Sequence, residues 1–109
     1  MNEHNRHGVA LITGASSGIG ATYADRLARR GFDLLLVARD QARLADSAAR
    51  LRRETGVSVE VARADLTVGA DLDRIAQRLR SDKAISMLVN NAGMAANGPL
   101  VGADCRRRW

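Results

Sequence analysis

The sequence predicts an α/β fold, a doubly wound parallel sheet truncated after about four strands, and three observations lead there. Short apolar runs alternate along the chain with longer stretches whose apolar residues recur at helical spacing. One of those runs, Asp33-Leu34-Leu35-Leu36-Val37-Ala38, is apolar throughout after its first residue, as a strand buried on both faces must be. Between the first run and the first amphipathic stretch stands TGASSGIG, Thr13 to Gly20, the turn chemistry of a strand that feeds directly into a helix. Strand, helix, strand in this rhythm demands parallel pairing with right-handed crossovers.

Each element has its own signal. Val9 to Thr13 is the first strand. Ser17 to Arg30 reads as the first helix, with Ile19, Tyr23 and Leu27 at i, i+4 and i+8 as its packed face and Gly31 as its stop. The second strand follows at once. Asp40 is a good N-cap for the next helix, in which Leu44, Ala48 and Leu51 mark the buried side and Gly56 the end. Val57-Ser58-Val59-Glu60-Val61 alternates as a strand near a sheet edge does. Leu72, Ile75, Ala76 and Leu79 mark a third helix, and Ile85 to Asn90 a fourth strand.

The glycine-rich turn carries the chemistry. A strand that ends there and opens a helix directs backbone N–H groups and the positive end of a helix dipole at one point, which suits a diphosphate. Gly14 permits a turn with positive φ, Gly18 lets a phosphate approach the main chain, and Gly20 lets the helix pack closely; Ser16 and Ser17 add hydroxyl donors. Taken alone, the same residues also describe a surface turn. About 20 positions on, where a dinucleotide's ribose would lie, the second strand ends at Arg39. An acidic residue there grips a free 2′-hydroxyl, whereas a guanidinium matches a 2′-phosphate, so NADP (NADPH) is favoured over NAD. The plain alternative is that Arg39 is a solvated loop residue, one of 16 arginines.

TGASSGIG, the strand ending at Arg39, Ala64-Asp65-Leu66-Thr67 and Asn90-Asn91-Ala92-Gly93, in that order, resemble the N-terminal half of the short-chain dehydrogenase/reductase family from about Gly8 to about Gly102. The resemblance implies a Rossmann-like sheet of order 3-2-1-4 and a cofactor site formed by Thr13, Gly14, Ser16, Ser17, Gly18, Ile19, Gly20, Arg39, Asp65, Leu66, Asn91, Ala92 and Gly93. In that family Asp65 and Leu66 correspond to the position that meets the adenine ring, and the NNAG segment lines the cofactor cleft. It also implies an NADP-dependent oxidoreductase of alcohol or carbonyl substrates, whose catalytic serine and Y-x-x-x-K pair lie further along a longer chain. No catalytic residue is assigned here: Tyr23 is the only tyrosine, Lys83 the only lysine, and their spacing is wrong for the pair. The alternative function is a non-catalytic dinucleotide-binding module, or a gene fragment, that associates with another chain.

Composition excludes several other classes. The net charge of +5 owes three units to Arg106, Arg107 and Arg108, and the other arginines are interspersed with Asp and Glu. With three aromatics there is no stacking platform, so nucleic acid is not expected as a partner. No apolar stretch approaches the roughly 18 residues of a membrane span, no signal-peptide core is present, and the single Cys105 fits a reducing cytoplasmic setting. His4 and His7 have no further ligands to complete a metal site. The chain divides into a flexible arm at 1–7, a partial dinucleotide-binding domain at 8–102 and a basic irregular tail at 103–109. A nicotinamide dinucleotide is the expected partner, a small-molecule substrate only in a longer form. The fourth strand would leave a bare sheet edge, which invites self-association.

Overall fold

Seven elements alternate along the chain in a computed structural model that describes residues 7–16 and 18–91. They are β1 (Val9–Thr13), α1 (Gly18–Arg29), β2 (Asp33–Ala38), α2 (Gln41–Thr55), β3 (Val59–Arg63), α3 (Gly69–Ser81) and β4 (Ile85–Asn90). Residues 1–6 of the expected arm at 1–7 and the tail at 103–109 lie outside the described residues, as do Ser17, Ala92 and Gly93. All pairings are parallel and the sheet order is β3-β2-β1-β4, the order the resemblance implies.

The sheet buries both faces because successive side chains on a strand point to opposite sides. On one side Ala10, Ile12, Leu34 and Leu36 pack with Ala24, Leu27 and Ala28 of α1 and with Leu44, Ala48 and Leu51 of α2. On the other, Leu11, Leu35, Val37, Ile85 and Leu88 pack with Ile75 of α3. Central β2 is buried along its whole length, which accounts for its unbroken apolar run. Each fully buried leucine contributes about 1.5–3 kcal/mol of transfer free energy, so Leu44 and Leu51, both buried, are enough to dock α2.

Local chemistry sets the boundaries. Asp40 accepts a hydrogen bond from the Arg43 N–H at 3.1 Å and starts α2, and the Gly56 N–H closes the helix on the Arg52 carbonyl at 3.0 Å. β3 begins two residues later than its alternation suggests. The reason is Asp33, buried at the head of β2, whose carboxylate accepts the Ser58 N–H at 2.9 Å, so the ladder starts only at Val59 opposite Leu34. The expected packed face of α1 is also corrected: Leu27 is buried, but Ile19 is 65% and Tyr23 47% exposed. A step of four residues overshoots a full helical turn by about 40°, so that stripe drifts off the sheet, whereas Gly20, Ala24, Leu27 and Ala28 form the face in contact.

Candidate functional site

Because every strand runs the same way, Thr13, Ala38, Arg63 and Asn90 end on one edge of the sheet. In an open α/β sheet a ligand crevice lies beside that edge where the chain order reverses, here between β1 and β4. Thr13 is fully buried and joins the two strands there. Its hydroxyl donates to Asn90 Oδ1 at 3.0 Å and accepts the Asn91 N–H at 2.9 Å. Asn90 Nδ2 is buried with no hydrogen-bond partner among the described residues, an uncommon state for an amide donor.

The turn after β1 is shaped by its glycines. Gly14 has φ +65°, a left-handed conformation that side chains resist. Next to it the Ala15 N–H donates to the Val37 carbonyl at 3.2 Å, which lays the turn across the end of β2. A Cβ on Gly20 would run into the Gly14 carbonyl and stand 3.0 Å from Asn91 Nδ2, so α1 starts in close contact with the turn. Among the described residues, an added Cβ at Gly18 would meet nothing within 4 Å. Gly18 stands at the end of α1 where helix N–H groups have no intrahelical acceptor.

Two further loops border this edge. The Ala64 N–H donates to the Ala38 carbonyl at 3.0 Å, so Arg39 and Asp65 leave one hydrogen-bonded pair on neighbouring loops. Arg39 is exposed. Asp65 Oδ1 accepts the Thr67 hydroxyl at 2.6 Å and the Thr67 N–H at 3.0 Å. Those bonds, helped by the Arg39 and Arg63 charges, hold the Asp65 carboxyl below its ordinary pKa. The Asp65 N–H donates to Asp71 Oδ2 at 2.9 Å, and Asp71 also pairs with Arg74 at 3.3 Å. The pKa of Asp71 is lowered by the Asp65 N–H first and by Arg74 second. Leu66 is half-buried and packs its side chain against the α3-side core, anchoring this loop.

The structure thus gathers Thr13, Gly14, Ser16, Gly18, Ile19 and Gly20 at the end of β1, sets Asn91 beside Gly20, and holds Arg39 near Asp65. Ser17, Ala92 and Gly93 lie outside the described residues. Sequence reading missed the roles of Thr67, Asp71 and Asn90. The Asp-x-Thr spacing is an Asx-turn signal that points to Thr67; the bond from Thr13 to Asn90 spans 77 positions and has no local signature. Among the described residues no cluster of three metal-ligating side chains occurs, and no helix is long and apolar enough to cross a membrane.

A family model for short chain dehydrogenases matches residues 8–108. The chain belongs to the short-chain dehydrogenase family. The match runs past Gly102, so the motifs understate how far the family likeness extends. Among solved structures of the family, the bulky-bulky ketone specific alcohol dehydrogenase from Comamonas testosteroni is 57% identical with a TM-score of 0.79, over 82% of this chain and 37% of that one. A short-chain dehydrogenase from Sphingobium yanoikuyae, in complex with NADPH, is 63% identical with a TM-score of 0.73, over 74% of this chain and 32% of that one. An uncharacterized oxidoreductase of Staphylococcus saprophyticus is 35% identical over 97 residues, 88% of this chain and 42% of that protein. The chain therefore spans less than half the length of each of these short-chain dehydrogenase relatives.

Proposed function

We propose that this chain is the adenosine-diphosphate-binding half of an NADP(H)-dependent oxidoreductase acting on an alcohol or carbonyl substrate. The observation that carries the reading is the turn from Gly14 to Gly20, open at Gly18 and set at the head of α1, with the Arg39 loop alongside. The space at Gly18 and the Nδ2 of Asn90, neither of them filled or partnered among the described residues, fit a polar ligand at this edge. Backbone N–H groups of the turn, with Ser16 and Ser17, hold the diphosphate; Arg39 takes the 2′-phosphate; Asp65 and Leu66 meet the adenine; Asn91, Ala92 and Gly93 line the cleft. When bound, the nicotinamide supplies hydride transfer. The NADPH bound by the Sphingobium relative and the ketone specificity of the Comamonas enzyme support this cofactor and substrate class.

Within these 109 residues Tyr23 lies on α1 and Lys83 in the turn before β4, so neither serves as a Y-x-x-x-K partner of the other. We therefore propose cofactor binding without turnover by this chain alone, in a reducing cytoplasmic setting. A second reading, a non-catalytic module that joins another chain, draws on β4, which pairs only with β1 among the described residues. Titration with NADPH and NADH, run beside a carbonyl-reduction assay, tests both. Binding without turnover is the expected result, and turnover would refute the claim that further residues are required. Arg39→Asp should weaken NADPH by roughly tenfold or more, the scale of a lost charge-assisted hydrogen bond, and spare NADH; equal loss of both would remove Arg39 from the selector role.

A further inference from the structure

We infer that Thr67 is a positioning residue for base recognition: by occupying Asp65 Oδ1 with two hydrogen bonds it leaves Oδ2 as a single, aimed acceptor for the exocyclic amine of a 6-aminopurine. The inference rests on the dinucleotide reading above, in which Asp65 meets the adenine, and adds to it the residue that orients Asp65. Thr67 donates its hydroxyl at 2.6 Å and its N–H at 3.0 Å to Oδ1 alone, while Oδ2 receives no hydrogen bond among the described residues. Both bonds fix the carboxylate plane, and fixing it decides where the second oxygen points. The main chain of Asp65 is held from the other side. Its N–H is bonded to Asp71 in the first turn of α3, and Arg74 ties Asp71 to the Arg63 carbonyl at the end of β3. Asp65 is thus clamped at its backbone and at one oxygen, and a carboxylate oxygen that accepts but cannot donate discriminates an amine from a carbonyl.

The test compares NADPH with its reduced hypoxanthine analogue, in which the 6-amino donor is replaced by a 6-oxo acceptor, by fluorescence titration of the 109-residue chain. The wild type should bind NADPH more tightly than the analogue. Thr67→Val, which keeps the shape and removes the hydroxyl, should lower that preference by roughly three- to tenfold, the range for the net loss of one ordinary intramolecular hydrogen bond, and Thr67→Ser should restore it. Thr67→Ala gives the same comparison should the valine variant not fold, since position 67 is exposed. An unchanged ratio in the variant, or an equal loss of both ligands, overturns the positioning role and leaves the dinucleotide reading standing. Failure of the wild type to bind either compound overturns the dinucleotide reading and this inference with it.

Discussion

Gly18 and Gly20 are two residues apart and face opposite demands. Gly20 is pressed against the Gly14 carbonyl and close to Asn91, so a methyl group there must displace main chain, whereas the same methyl at Gly18 meets none of the described residues. Overpacking of this kind costs about 1–3 kcal/mol, and for a domain of this size each kcal/mol lowers Tm by about 4–8 °C. Gly20→Ala should therefore melt several degrees lower than the parent. Gly18→Ala should stay within about 0.5 kcal/mol, as exposed substitutions usually do, while weakening a phosphate ligand that needs the space. Thermal melting of the two variants checks the contrast, and equal melting temperatures would contradict it.

Among the elements, β1, β2 and β4 were legible because a buried parallel strand needs an apolar run, and α2 because both its caps are local: Asp40 reaches Arg43 and Gly56 reaches Arg52. The face of α1 was not legible. Ile19 and Tyr23 continue a helical stripe, and only the close approach of Gly20 to Gly14, a tertiary contact, sets the helix's rotation about its axis. The start of β3 was hidden for the same reason, since it depends on Asp33 reaching Ser58 across 25 positions. In the proposed site, the glycine-rich turn and the loop position of Asp65 could be read from sequence, but the clamp on Asp65 was visible only in part, as its Asp71 contact comes from another element. Element packing also ranks local stability. β2 is buried at every residue, whereas α3 has only Ile75 fully buried. Hydrogen exchange should be slowest in β2 and fastest in α3 among these elements; protection in α3 equal to that in β2 would refute this ranking.

Over the whole molecule, charge pairs link elements the core already holds. Arg29 joins Asp25 of α1 to Glu54 of α2 at 3.1 and 2.8 Å, and Arg78 joins Glu60 of β3 to Asp82 at 2.8 Å each. The Asp25 carboxyl is lowered first by Arg29, that of Glu60 by Arg78, that of Asp82 by Arg78, and that of Asp71 by the Asp65 N–H. A lowered folded pKa means that the unfolded chain binds protons first, so this stabilisation is present above the ordinary carboxylate range and is lost as pH falls through and below about 4. The pairs are largely exposed, so each contributes little and salt weakens it. Urea midpoints should change little between pH 7 and 5 and fall between pH 5 and 3; a midpoint that holds at pH 3 would show that these pairs are idle. The single main-chain bond between Ala64 and Ala38 has a different reach. It sets the spacing between positions 39 and 65 without involving either side chain. On the proposed function, a natural or engineered exchange at either position would therefore rewrite which nucleotide is preferred while the frame that presents both stays where it is.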